Sequence, residues 1–178
     1  DGLDALVLSH GVFTYGLDRA SDEDRLQAAA DTNFTSRALI FTELVPDLAS
    51  RRGQVFEVNS TAARGIRPDV PWYSASLAGS LSFFRSVAGA EGVKGKIRVC
   101  SIILGRTATP MQEDVVRLEG RPYRPDTLLS PDAVGAFIAF RLAGAEAAPA
   151  FDAAEGHLAE VVLLPPPVDP GGEDGGGP

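Results

Sequence analysis

The chain has 178 residues, 44% of them hydrophobic and 22% charged, and a formal net charge of −8. This is enough soluble, core-forming sequence for one domain, and an acidic chain with no basic patch excludes nucleic-acid binding by phosphate neutralisation. No apolar run approaches a membrane span and no basic-then-apolar leader is present. The single cysteine, Cys100, has no partner for an internal disulfide, so a soluble protein of a reducing compartment such as the cytoplasm is expected.

Residues 5–9, ALVLS, form a continuous apolar run that predicts a buried strand of a parallel sheet. The turn His10-Gly11 follows it. Gly11 lets the backbone approach a ligand closely, and His10 reads as an ordinary turn histidine. Ser21 followed by acids at 22–24 is a helix start, with Ser21 as N-cap. The helix is predicted over 22–49, with Leu26, Ala29, Ala30, Ile40, Leu44, Val45 and Leu48 near helical spacing. Pro46 is expected to kink it or end it early. Asn33 is a poor helix former lying mid-helix, and on residue type alone it reads as a solvated position.

Residues 51–53 are a turn and 54–59 a second strand, with Ser60 at its carboxyl end. Ligand sites gather at the carboxyl ends of strands in open parallel sheets. A loop over 61–71, with Gly65, Pro68 and Pro71, leads into a helix over 72–90. Tyr73 and Leu77 share a face of that helix. Its small residues Ser74, Ala75, Ser76, Ala78 and Gly79 suit close packing, either within the chain or against a second copy.

Residues 96–104 are a third apolar strand that encloses Cys100, read as an inert buried thiol. Thr109-Pro110 starts a short helix to 119, with Met111 over a cleft, and 120–129 is a loop. Ser130-Pro131-Asp132 starts a helix over 131–143, with Val134, Phe137, Ile138 and Leu142 on one stripe. A connection over 145–156, a surface His157 and a last strand over 160–164 complete the pattern. Residues 165–178 are a Pro- and Gly-rich tail expected to be disordered. The alternation of strands and helices is that of an α/β protein with a parallel sheet.

Ser60 and Tyr73 stand thirteen residues apart, Tyr-Ser-Ala-Ser occupies 73–76, and Gly-Arg-Thr-Ala-Thr-Pro-Met occupies 105–111. Together with Asn33, these residues resemble the short-chain dehydrogenase/reductase family over about 4–164. The resemblance implies a partial Rossmann-like, doubly wound sheet over residues 1–164, ahead of the 165–178 tail. It also implies NAD- or NADP-dependent carbonyl reduction or alcohol oxidation on a small molecule, with no metal. In that scheme Tyr73 is the acid/base, Ser60 orients the substrate, and the backbone carbonyl of Asn33 holds a relay water. Gly11, Gly105, Thr107 and Thr109 fall at cofactor positions. Family members commonly form homo-oligomers through the helices before and after Ser60.

The sequence also departs from the family. Leu77 stands where the family has the lysine that lowers the tyrosine pKa and binds the nicotinamide ribose. Leu104 replaces a proline, and only Gly11 remains of an Asn-Asn-Ala-Gly motif. No glycine-rich strand–turn–helix is present, so the first strand corresponds to the family's fourth and becomes an apolar edge. Only Lys94 and Lys96 are lysines among sixteen basic residues, a bias that fits a GC-rich bacterial genome. Two functions remain open: a truncated and impaired oxidoreductase, or a non-catalytic relative used for binding or assembly.

Overall fold

The computed structural model describes residues 2–16, 23–143 and 159–165. The expected N-cap Ser21, the connection over 145–156, His157 and all of the tail beyond Pro165 lie outside them. Four strands form one parallel sheet in the order β1 (Ala5–Leu8), β2 (Gln54–Ser60), β3 (Arg98–Leu104) and β4 (Ala159–Leu163). Between β1 and β2 run α1 (Glu23–Ala30), a π-helical turn (Asp31–Thr35) and α2 (Ser36–Arg51). Helix α3 (Pro71–Ala88) joins β2 to β3, and α4 (Pro110–Leu118) and α5 (Pro131–Leu142) follow β3. This is the α/β parallel sheet that the pattern predicts and the partial Rossmann-like fold that the resemblance implies.

Each strand side chain points to the face opposite its neighbour's, and two cores result. Leu8, Val55 and Val99 pack with Phe41 and Leu48 of α2 and with Phe84 and Ala88 of α3. On the other face Phe56, Cys100 and Ile102 meet Phe137 and Ile138 of α5. Cys100 is buried, as expected, and burial pushes its thiol up to about 11, which leaves it inert at neutral pH. The stripe foreseen on α5 is narrower than predicted: Val134 is buried, whereas Leu142 at the end of the helix is exposed.

Pro46 does not end its helix. Helix α2 continues to Arg51, although Pro46 supplies no N–H to the preceding turn. Leu48 beyond it is fully buried, and Leu44 and Val45 pack on the same core. That burial outweighs the roughly 3 kcal/mol cost of an internal proline. The helix ends at Arg52, which takes the left-handed conformation with φ of 52°. Gly53 then packs so tightly that an added Cβ would lie 2.6 Å from the Leu3 carbonyl oxygen. The glycine is needed there for space.

The fully buried Phe84 is a sensitive probe of the first core. Phe84→Ala is expected to cost about 3–5 kcal/mol in urea unfolding, whereas Leu39→Ala, on the 62% exposed face of α2, changes stability by no more than about 0.5 kcal/mol.

Candidate active site

The helix-facing side chains of β2 change from apolar Val55 to polar Glu57 and Asn59 toward the carboxyl end of the sheet. Glu57 is fully buried. Its Oε1 accepts from Asn59 Nδ2 at 2.7 Å and from the Ser80 hydroxyl at 2.5 Å, and its Oε2 accepts from the Ser101 hydroxyl. Ser101 is its register partner on β3. The Arg37 guanidinium lies 3.6 Å from the same carboxylate. Arg37 donates through Nη1 to the Val58 carbonyl at 2.9 Å and through Nη2 to the His10 carbonyl. One buried ion pair thereby ties α2 to β2, to β3 and to the loop after β1.

Helical spacing puts Arg37 on this face, one turn before Phe41 and in line with Leu44 and Leu48. The π turn just before it widens the helix at Asn33. Asn33 is fully buried, not solvated. Its Oδ1 accepts from the Val12 N–H at 2.8 Å, and its Nδ2 donates to the Val12 carbonyl at 2.9 Å and to the Ser76 hydroxyl at 3.0 Å. Ser76 in turn donates to the Tyr73 carbonyl at 2.9 Å. The side chain of Asn33 thus clamps the loop after β1 to the first turn of α3.

Ser60 ends β2 and caps the short 3-10 turn after it, its hydroxyl accepting from the Ala62 N–H at 3.2 Å. Pro71 starts α3 and sets Tyr73 in its first turn. Phe13 packs edge-on against the Tyr73 ring with centroids 5.0 Å apart. Burial pushes the Tyr73 phenol up from its ordinary value, while a hydrogen bond with Ser60 and the charge of Arg37 pull it back. Leu77, one turn on, is buried and contributes only an apolar side chain and its carbonyl, which accepts from Asn59 at 3.1 Å.

All seven residues singled out from sequence, Gly11, Asn33, Ser60, Tyr73, Gly105, Thr107 and Thr109, line one cavity of about 760 Å³. Their surroundings differ. Thr107 donates to the Gly105 carbonyl at 3.1 Å, and Thr109 caps α4 by accepting from the Gln112 N–H at 3.2 Å. Both hydroxyls shape the turn after β3. A Cβ on Gly105 would lie 2.8 Å from Pro165, so this glycine admits the end of β4. A Cβ on Gly11 would lie 3.2 Å from the Asn33 Oδ1 and 3.5 Å from the Arg37 Nη2.

The sequence reading missed Arg37, Glu57 and Gln112. The first two had a signal: a cation on the apolar stripe of a helix and an acid inside a strand of Val and Phe. Two buried donors on the cavity wall, Arg37 Nε and Gln112 Nε2, have no partner. Free donors beside paired hydroxyls suit an oxygen-rich ligand such as the nicotinamide end of a dinucleotide. Among the described residues, no group of acids, histidines and cysteines is placed to hold a metal. No described helix is long and apolar enough to cross a membrane.

The sequence profile of short chain dehydrogenases matches residues 1–119. The chain belongs to the short-chain dehydrogenase family. Solved structures repeat the fold. A putative short chain dehydrogenase from Escherichia coli CFT073, complexed with NADPH, superposes with a TM-score of 0.72 at 17% identity, over 89% of this chain and 62% of that one. A putative short-chain dehydrogenase/reductase from Burkholderia xenovorans gives 0.67 at 24% identity, over 92% and 62%. An oxidoreductase of the family from Burkholderia thailandensis gives 0.65 at 24%, over 89% and 62%. The chain therefore spans about three-fifths of the length of these relatives.

The ion pair makes a direct stability test. Arg37→Met strands a buried carboxylate and is expected to cost about 3–5 kcal/mol in denaturant unfolding. The double variant Arg37→Met/Glu57→Gln loses less than the sum of the single variants, with a coupling of about 1–3 kcal/mol.

Proposed function

We propose that the chain carries the substrate-side half of an oxidoreductase site that reduces a small-molecule carbonyl, using NAD or NADP. The observation that carries this reading is the Ser60–Tyr73 hydroxyl pair, held at one cavity with a phenol that burial keeps protonated. Ser60, at the end of β2, hydrogen-bonds the substrate oxygen and fixes its direction. Tyr73 donates its proton to that oxygen as negative charge develops there. Asn33, through its clamp on Val12 and Ser76, keeps the first turn of α3 and the loop after β1 at a fixed separation. The nicotinamide cofactor, when bound, supplies the hydride. The Gly105–Thr109 turn and the free donor of Gln112 are the groups of this chain that would hold its nicotinamide end.

Reduction is favoured over alcohol oxidation by the state of the phenol. Burial raises Tyr73 above its ordinary value, so the neutral donor form persists through neutral pH. The reduction rate should hold across neutrality and fall only at pH above the ordinary tyrosine range, where alcohol oxidation, which needs the phenolate, rises.

The test is turnover of a panel of aldehydes and ketones with NADH and NADPH, alongside fluorescence titration of both cofactors. Turnover that Tyr73→Phe lowers by about 10²-fold or more supports the reading. No saturable cofactor signal and no turnover would overturn it for these residues. A non-catalytic binding role is the second reading, and Leu77 favours it: a buried aliphatic side chain at 3% exposure can hold neither a ribose hydroxyl nor a charge near Tyr73. Leu77→Lys alone is expected to add no turnover, because the 178 residues contain no glycine-rich phosphate turn. Measured activity in that variant would contradict this.

A further inference from the structure

We infer that the site selects carbonyl substrates that carry an aryl group beside the carbonyl, an aryl aldehyde or aryl ketone, over saturated carbonyls of the same size. This deepens the proposed function and rests on its reading of Tyr73 as the group that meets the substrate oxygen. The observation is a run of three rings along the cavity. Phe13 stands edge-on to Tyr73 with centroids 5.0 Å apart, and Tyr15 lies 6.4 Å beyond Phe13 at an interplanar angle of 38°. All three border the cavity, whereas Thr14, between Phe13 and Tyr15 in the chain, is buried and does not. The alternation is that of extended chain, in which residues two apart share a side. A substrate whose oxygen meets Tyr73 therefore has its nearest substituent beside Phe13, with Tyr15 next in line.

The loop that carries the two outer rings is held at both ends. The Asn33 side chain takes both main-chain groups of Val12, and the Gly16 N–H donates to the Asp69 carbonyl at 2.7 Å. The rings are thus positioned in advance, and a ligand pays little to order them. Tyr15 is 40% exposed and Phe13 is only partly buried, so both keep ring surface that a ligand can cover. An aromatic ring set edge-on or offset against them gains more than its buried area, which a saturated ring of the same size does not. Met111, the one methionine of the chain, borders the same cavity from α4, and its thioether sulfur also favours an aromatic partner. The charges around the cavity select no ionic substrate. Arg37 is paired with Glu57 and Arg106 with Glu119, and Arg67 shares its loop with Asp69.

The test is binding of acetophenone and of cyclohexyl methyl ketone to the full chain, followed by ligand-observed NMR titration. The two ketones share a carbon skeleton and differ in whether the ring is aromatic. Acetophenone should bind about two- to tenfold more tightly. Tyr15→Leu should weaken acetophenone alone and remove most of that difference, while Tyr15→Phe, which keeps the ring, should retain it. Phe13→Leu should act as Tyr15→Leu does, and if it fails to fold the two Tyr15 variants decide. Equal affinity for the two ketones, no saturable binding of either, or an equal loss for both in Tyr15→Leu overturns the inference. Because binding needs no turnover, a chain that prefers acetophenone in this way yet reduces no carbonyl overturns the proposed function alone. A chain that reduces carbonyls but binds the two ketones equally overturns this inference alone.

Discussion

A guanidinium and a carboxylate buried under the carboxyl ends of two strands tolerate little movement of anything around them. Removing a charge from water costs several kcal/mol unless partners replace the lost hydration. Here the replacements come from five places: the His10 and Val58 carbonyls for Arg37, and the Asn59, Ser80 and Ser101 side chains for Glu57. Each lies on a different segment or strand position, so satisfying the pair fixes α2, α3, β2, β3 and the loop after β1 relative to one another. Apolar packing of Phe41, Phe84 and Val55 supplies most of the stabilisation at the far end of the same layer. Near the site, the polar network takes over the task of specifying geometry.

This division explains why the cavity sits where it does. The apolar half of the layer accepts many equivalent packings, but hydrogen bonds of fixed direction do not. Ser60 adjoins a member of the network, its N–H donating to Asn59 Oδ1 at 2.7 Å, and Tyr73 is held at its carbonyl by Ser76, which Asn33 fixes one turn before Arg37. The hydroxyl pair is therefore attached to the most constrained part of the molecule. A reacting geometry demands such support, since small misplacements of a proton donor are costly in rate.

Much of this was legible in the sequence. The strand at 54–59 with Ser60 at its end, the helix that begins beside Tyr73, one residue earlier than expected at Pro71, and the Thr109-Pro110 helix start all follow from local chemistry. The seven residues picked by pattern and resemblance do face one cavity. What escaped was tertiary. Pro46 looked like a helix end because its cost is local, whereas the burial of Leu48 that offsets it is not. Asn33, a site residue by resemblance, looked solvated on residue type alone because nothing near it in sequence shows that Val12 needs a partner. Arg37 and Glu57 are 20 positions apart, and although each stands among apolar neighbours, nothing local names the other as its partner. Only the crossing of α2 over β2 makes them a pair.

The two bonds between Asn33 and Val12 have the form of a rung in a sheet. The side-chain amide takes the N–H of Val12 and offers its own N–H to the carbonyl of the same residue, as one peptide does for another across an antiparallel pair. At that point a helix impersonates a neighbouring strand. The backbone beyond β1 is thereby steered by the layer of helices above the sheet, and the Val12 N–H is already committed to it. Any partner approaching this margin of the domain, whether more of the fold or a cofactor, meets a backbone whose course is already settled by one amide.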